Sequence, residues 1–127
     1  MALHDITDRS DVVRLVDAFY AKVRVDAFLA PVFVNLDWHN HVPTMYNFWC
    51  SMLLGEVTYQ GNPLQKHMHL DITSRHFDEW LEIFDETVDE LFEGAIATEA
   101  KTRTRSIAGV FQHKMGLLKP PGRSTKS

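Results

Sequence analysis

The sequence predicts an all-α fold, one domain built from four main helices. Three observations carry that expectation. Apolar residues recur at steps of three and four in four separate segments. No segment alternates with period two long enough to make a strand. Helix-starting and helix-stopping residues stand at the segment ends. There is no internal repeat.

The first stripe is Val12, Val13, Val16, Phe19, Tyr20 and Val23, with Arg14, Asp17, Lys22 and Arg24 between. Ser10 is the expected N-cap, its hydroxyl accepting a free N–H of the first turn. Phe28–Val34 is an apolar corner where Pro31 blocks helix continuation. A second helix is expected over His39–Val57, capped by Asp37 or Asn40, with Pro43 in its first turn. Its apolar residues (Val42, Met45, Tyr46, Phe48, Trp49, Met52, Leu53) wrap more than half the circumference, as in a helix that crosses a core.

Gly55–Pro63 reads as a loop that turns at Gly61-Asn62-Pro63. Leu64–His69 has room for one or two helical turns. A third helix follows Thr73 or Ser74 and places Phe77, Trp80, Leu81, Phe84, Val88 and Leu91 on one face. Its other face (Asp78, Glu79, Glu82, Asp85, Glu86, Asp89, Glu90) is expected to be solvated, as is the Lys101, Arg103, Arg105 cluster. The last helix is expected over Thr98–Met115, with Ala100, Ile107, Ala108, Phe111 and Met115 inward and Gly116 as its stop. Residues 1–116 form the domain. Residues 117–127, polar, basic and proline-containing, read as a disordered tail.

Composition narrows the function. The chain has 127 residues, a net charge of −4, 45% hydrophobic and 24% charged residues, enough to bury a core and stay soluble. The single cysteine, Cys50, excludes a disulfide framework and a multi-cysteine metal site. The first residues lack a basic start followed by an apolar run, so no signal peptide is expected. The longest stretch without Asp, Glu, Lys or Arg, Trp38–Gly55, still holds two histidines and a proline, which argues against a membrane span. Mild acidity argues against a nucleic-acid partner. A cytoplasmic protein is expected, and a monomer, since no large apolar patch is evident.

There is no phosphate loop, HExxH, CxxC or GxSxG, and no glutamate has a histidine three residues on. Histidine is the unusual residue, at seven positions that include the pairs His39/His41 and His67/His69. On a helix such a pair points about 200° apart and cannot chelate one ion from one face. A histidine acting singly holds Zn²⁺ poorly. It holds haem iron well, because the porphyrin supplies four nitrogens. Phe19, Phe28, Phe33, Tyr46, Phe48, Trp49, Phe77, Trp80, Phe84 and Phe111 serve either as plain core or as the walls of a flat slot.

The elements Phe19-Tyr20-Ala-Lys-Val-Arg, Pro31-Val-Phe33, Trp38-His-Asn-His41-Val-Pro-Thr-Met-Tyr-Asn-Phe48-Trp49, Met52-Leu-Leu-Gly55-Glu, Pro63-Leu-Gln-Lys-His67 and Phe77-Asp-Glu-Trp80-Leu occur in this order. On them the chain resembles the truncated haemoglobins, in particular their third group, over roughly residues 8–116. The absence of a Gly-Gly pair at helix ends fits that group.

The resemblance implies a two-over-two helical sandwich, a shortened globin fold around haem b. It implies His67 as the proximal iron ligand, with His69 as competitor two residues away. Tyr20, Trp80 and His41 become the distal residues facing bound ligand. Phe33 packs on the ring, Met45 and Phe48 face it from the distal helix, and Phe19 and Trp49 complete the pocket. The implied ligands are O2, CO and NO, with cyanide or peroxide as further candidates. Bound O2 carries partial negative charge, so donors on Tyr20 and Trp80 imply tight retention rather than delivery. An enzyme handling peroxide or reactive nitrogen species is the alternative, and a haem-free helical binding module is the remote one. The enzyme requires an outside electron donor, because no flavin or nicotinamide motif is present.

Overall fold

A computed structural model describes residues 3–34, 36–55 and 72–116. The expected turn at Gly61-Asn62-Pro63, the segment Leu64–His69 and the tail 117–127 lie outside the described residues. Among those described there are four α-helices and no strand. These are α1 (Arg9–Val23), α2 (Trp38–Leu54), α3 (Ser74–Leu91) and α4 (Ala95–Lys114), with a 3-10 turn at Ala30–Phe33.

Helix α1 begins earlier than its apolar stripe. Asp8, not Ser10, is the N-cap, and its carboxylate accepts the Asp11 N–H. Ser10 donates its hydroxyl to the same carboxylate at 2.7 Å. A carboxylate is the better acceptor here because the positive end of the helix dipole also favours its charge. After α1, Asp26 accepts the N–H groups of Phe28 and Leu29 at 3.1 and 2.9 Å. The chain then turns into the corner where Pro31 occupies the first turn of the 3-10 helix.

Helix α2 ends at Leu54, short of the expected Val57, because Gly55 adopts a left-handed conformation with φ 74°. That backbone frees the chain to leave the helix at little steric cost. Asp37 occupies the cap position without capping the backbone. Its carboxylate accepts from the Asn40 side chain at 2.6 Å instead. Pro43 lies inside the helix, past the expected first turn. It cannot donate to the His39 carbonyl, and His39 is exposed to solvent.

Helix α4 starts at Ala95, three residues before the expected Thr98. Its cap comes from the other end of the chain. Asp5 accepts the N–H groups of Ile96 and Ala97 at 3.0 and 2.8 Å, and that of Ile6 at 2.8 Å. Gly94 makes room for this, since a Cβ there would stand 2.4 Å from the Asp5 Cγ, and its φ of 148° also disfavours a side chain. Asp5→Ala is therefore expected to lower stability by about 1–2 kcal/mol, a fall in melting temperature on the order of 5 °C. Burial pushes the Asp5 carboxyl up, but the N–H donors outweigh it and hold it below the usual range. Its contribution is thus complete above the ordinary carboxylate pKa of about 3.9. It is lost as pH falls through the lower folded value. Thermal melts should show the gap between wild type and Asp5→Ala at neutral pH shrinking at the acid end.

Helix α1 packs on α2 and α3, α3 packs on α4, and α2 touches α4 more lightly. At the centre the Trp49 indole stacks on Phe84, with centroids 5.0 Å apart and planes 19° apart, and Phe19 meets Phe84 edge-on at 5.1 Å. A smaller cluster of Phe77, Leu81 and Ala108 joins α3 to α4. Trp80 packs against both clusters.

The acidic face of α3 is solvated, as expected, and carries ion pairs to the neighbouring helices. Lys22 of α1 pairs with Glu90 at 2.7 Å, Lys101 of α4 with Asp89 at 2.7 Å, and Arg105 with Asp85. Arg103 donates to the Met52 carbonyl at 3.1 Å. These exposed pairs are worth little each, but they explain why acids and bases alternate between facing helices. No described helix is long and apolar enough to cross a membrane.

Candidate functional site

The corner, the start of α3 and the end of α4 leave an apolar cleft between them. Leu29, Val32 and Phe33 form one wall and Ile72, His76, Phe77 and Trp80 the second, while Ile107, Ala108 and Phe111 close it from α4. It holds about 490 Å³ of non-atom space, open mouth included.

Helix α3 builds its wall by spacing. His76, Phe77 and Trp80 stand at i, i+1 and i+4, which on a helix share one side. His76 was not foreseen as a wall residue. The available signal was its place one turn before Trp80. It also serves the helix start, where its Nδ1 accepts the Thr73 N–H at 2.9 Å in a capping box. Glu or Gln ordinarily fills that position.

Tyr20, at the end of α1, is buried. Its ring meets Trp38 edge-on at 5.3 Å and His41 at 5.9 Å. Trp38 in turn contacts His41 at 6.0 Å and Phe33 at 5.8 Å. The Arg24 guanidinium lies 5.1 Å from the Trp38 centroid. Among the described residues none hydrogen-bonds the Tyr20 hydroxyl. Burial pushes its phenol far above the usual range, so it remains a neutral O–H donor.

Trp80 stands on the other side of Phe19, which touches Trp80 at 5.3 Å and Tyr20 at 4.9 Å. Of the residues expected at the site, Phe33 and Trp80 line the cleft. Tyr20, His41 and Phe19 form the layer behind those two rings. Met45 and Trp49 lie in the buried core, and Phe48 is half-buried with its ring 5.2 Å from Trp49. The Trp49 indole N–H has no acceptor among the described residues. His67 and His69 lie outside them. Among the described residues no cluster of three or more His, Cys, Asp or Glu could hold a metal ion.

The comparisons bear on the family and the fold. The model of the bacterial-like globin family matches residues 3–115. Group 3 truncated hemoglobin ctb of Campylobacter jejuni is 34% identical over 115 residues, which cover 85% of this chain and 91% of that protein. The crystal structure of the group III truncated hemoglobin from Campylobacter jejuni superposes with a TM-score of 0.83 at 33% identity, over 93% of this chain and 97% of that one. The structure of the truncated oxygen-avid haemoglobin from Bacillus subtilis gives a TM-score of 0.73 at 25% identity, over 82% and 92% of the two chains. The fold is that of a shortened, all-α globin. The chain belongs to the bacterial-like globins, within them to the group III truncated haemoglobins. Globin-type haem binding follows at the level of the family.

The cleft suits that group chemically. Its walls are aliphatic and aromatic, as a porphyrin face requires, and its polar edges are an indole and an imidazole rather than carboxylates. Nothing in the wall repels an anionic rim.

Proposed function

We propose that this chain holds haem b in the cleft and reversibly binds O2 and other diatomic ligands at ferrous iron, retaining them through polar distal groups. The observation that carries the reading is Tyr20, a buried tyrosine whose ring stands against Trp38 and His41 behind the cleft wall.

When bound, the haem would supply an iron able to take one protein imidazole and one small molecule. His67 is the protein ligand in this reading, as neutral imidazole, with its second nitrogen held by a carbonyl or water. It stands five residues before Ile72 in the cleft wall, a tether of at most about 18 Å. Phe33 packs on the ring. Phe19, Met45, Phe48 and Trp49 exclude water from the distal side and fix the donors. Tyr20 and Trp80 offer an O–H and an N–H to the partial negative charge of the ligand, and His41 sits at the pocket edge. Such charge-assisted bonds slow ligand release. The name of the Bacillus subtilis relative, oxygen-avid, is in keeping with that behaviour. CO, NO, cyanide and peroxide meet the same donors. The protein works in the cytoplasm as a monomer and takes electrons from an outside donor.

The test is the absorption spectrum of the purified protein, ferric, then dithionite-reduced, then with CO. A Soret band that shifts at both steps is expected. No band after haem is added would sink the reading. Steady turnover of peroxide with a reductant, or catalytic consumption of NO, would replace the binder by an enzyme.

A further inference from the structure

Two polar groups near the cleft have no part in the account so far, the Nε2 edge of His76 and the guanidinium of Arg75. Among the described residues, His76 is the single titratable side chain in the cleft wall. Its Nδ1 accepts the Thr73 N–H, with Thr73 Oγ1 3.0 Å from the same nitrogen. A neutral imidazole has one donor and one acceptor, so this acceptor role places the ring proton on Nε2. The ring lies flat on Phe28, with centroids 4.2 Å apart and planes within 8°. The Arg75 guanidinium lies 5.0 Å from the centroid of the same Phe28 ring. Among the described residues no carboxylate is within salt-bridge reach of Arg75. Glu79, one turn along α3, has its carboxyl pushed up chiefly by Asp26, while the Arg75 charge acts on it in the opposite sense. Phe28 thus carries both an imidazole and a guanidinium on its ring, and the imidazole is that of a residue in the cleft wall.

We infer that this pair, His76 and Arg75, is a carboxylate-binding subsite that takes the propionates of the porphyrin and sets which edge of the ring points outward. The inference rests on the haem reading. An apolar cleft accepts the face of a planar ring in many orientations, but it cannot take up carboxylates without a desolvation penalty. The ring therefore settles with its acidic edge where donors stand. A guanidinium is the better of the two partners, because its planar fork matches a carboxylate. His76 adds direction, because the capping box fixes both its ring plane and its tautomer.

The full chain is loaded with haem b, or with the same haem carrying methyl esters on both propionates. Haem transfer to an excess of a haem-free scavenger globin is then timed for wild type, Arg75→Gln and His76→Phe. Arg75→Gln leaves the capping box intact, and His76→Phe keeps an aromatic ring against Phe28. Far-UV circular dichroism and the melting temperature report any damage at the helix start. Each variant is expected to lose haem b roughly 3- to 10-fold faster than wild type. All three should lose the diester at one common rate. Equal acceleration for both haems would make these residues plain wall and overturn the subsite. So would unchanged loss of haem b. A wild type that holds neither haem would overturn the haem reading itself, a result distinct from the other two.

Discussion

Tyr20→Phe is expected to raise the O2 dissociation rate of the haem-loaded protein roughly 10- to 100-fold and to leave the fold intact. A hydrogen bond to a charged or partly charged acceptor contributes about 1.5–3 kcal/mol, and each 1.4 kcal/mol is a factor of about ten. The same deletion costs the empty protein little, because no described residue relies on that hydroxyl. Unfolding free energy should change by less than about 0.5 kcal/mol. That combination separates a ligand-holding tyrosine from a core tyrosine, whose loss of a satisfied hydroxyl would lower stability and leave ligand release alone. Because burial holds the phenol well above its ordinary range, the effect should be flat from about pH 6 to 9. Trp80→Phe should accelerate release in the same sense. The double variant should fall short of the product of the two, since both donors share one small acceptor. Stopped-flow displacement of O2 by CO measures all three. A rate for Tyr20→Phe within twofold of wild type would remove Tyr20 from the distal site.

The helices were legible because each carries its own instructions. Phe77, Phe84, Val88 and Leu91 announce α3 by spacing, and Thr73 supplies its cap within the same few residues. What escaped was set by distant partners. The start of α4 depends on Asp5, some ninety residues away, fitting against Gly94, and no local pattern encodes that meeting. Asp8 displaced Ser10 as a cap for a related reason, since two acceptors stood within reach and the stronger one won. Pro43 shows the limit of propensity, because the apolar burial of Met45, Trp49 and Leu53 keeps α2 continuous across it.

The candidate site divides along the same line. Phe33 and Trp80 were readable from the resemblance and stand in the cleft wall. Tyr20 and His41 were readable as residues but not as neighbours, because their meeting through Trp38 requires α1 and α2 to cross at that level. His76 escaped because it serves as a helix cap as well as a wall. A histidine just inside a helix start is unremarkable until the structure shows what its other edge faces.

His67→Ala is expected to produce the largest single effect, loss of haem from the reduced protein by more than about 100-fold in affinity. Removing even an outer-shell partner of a metal ligand typically costs 10- to 100-fold. The ligand itself supplies the one bond that the protein makes to iron, while the porphyrin provides the other four nitrogens. His69→Ala should bind haem normally, because on a helix residues two apart point about 200° away from each other and cannot both face one iron. Free imidazole should restore the His67→Ala spectrum, since a cavity of the deleted side chain admits the same ligand from solution. That rescue separates a lost ligand from a misfolded protein, in which no added imidazole brings back the Soret band. The reverse pattern, with His69→Ala losing haem and His67→Ala keeping it, would shift the proximal register by two residues. The ligand would then lie three residues before Ile72 instead of five, and the cleft wall would keep its place while its partner in the chain changed.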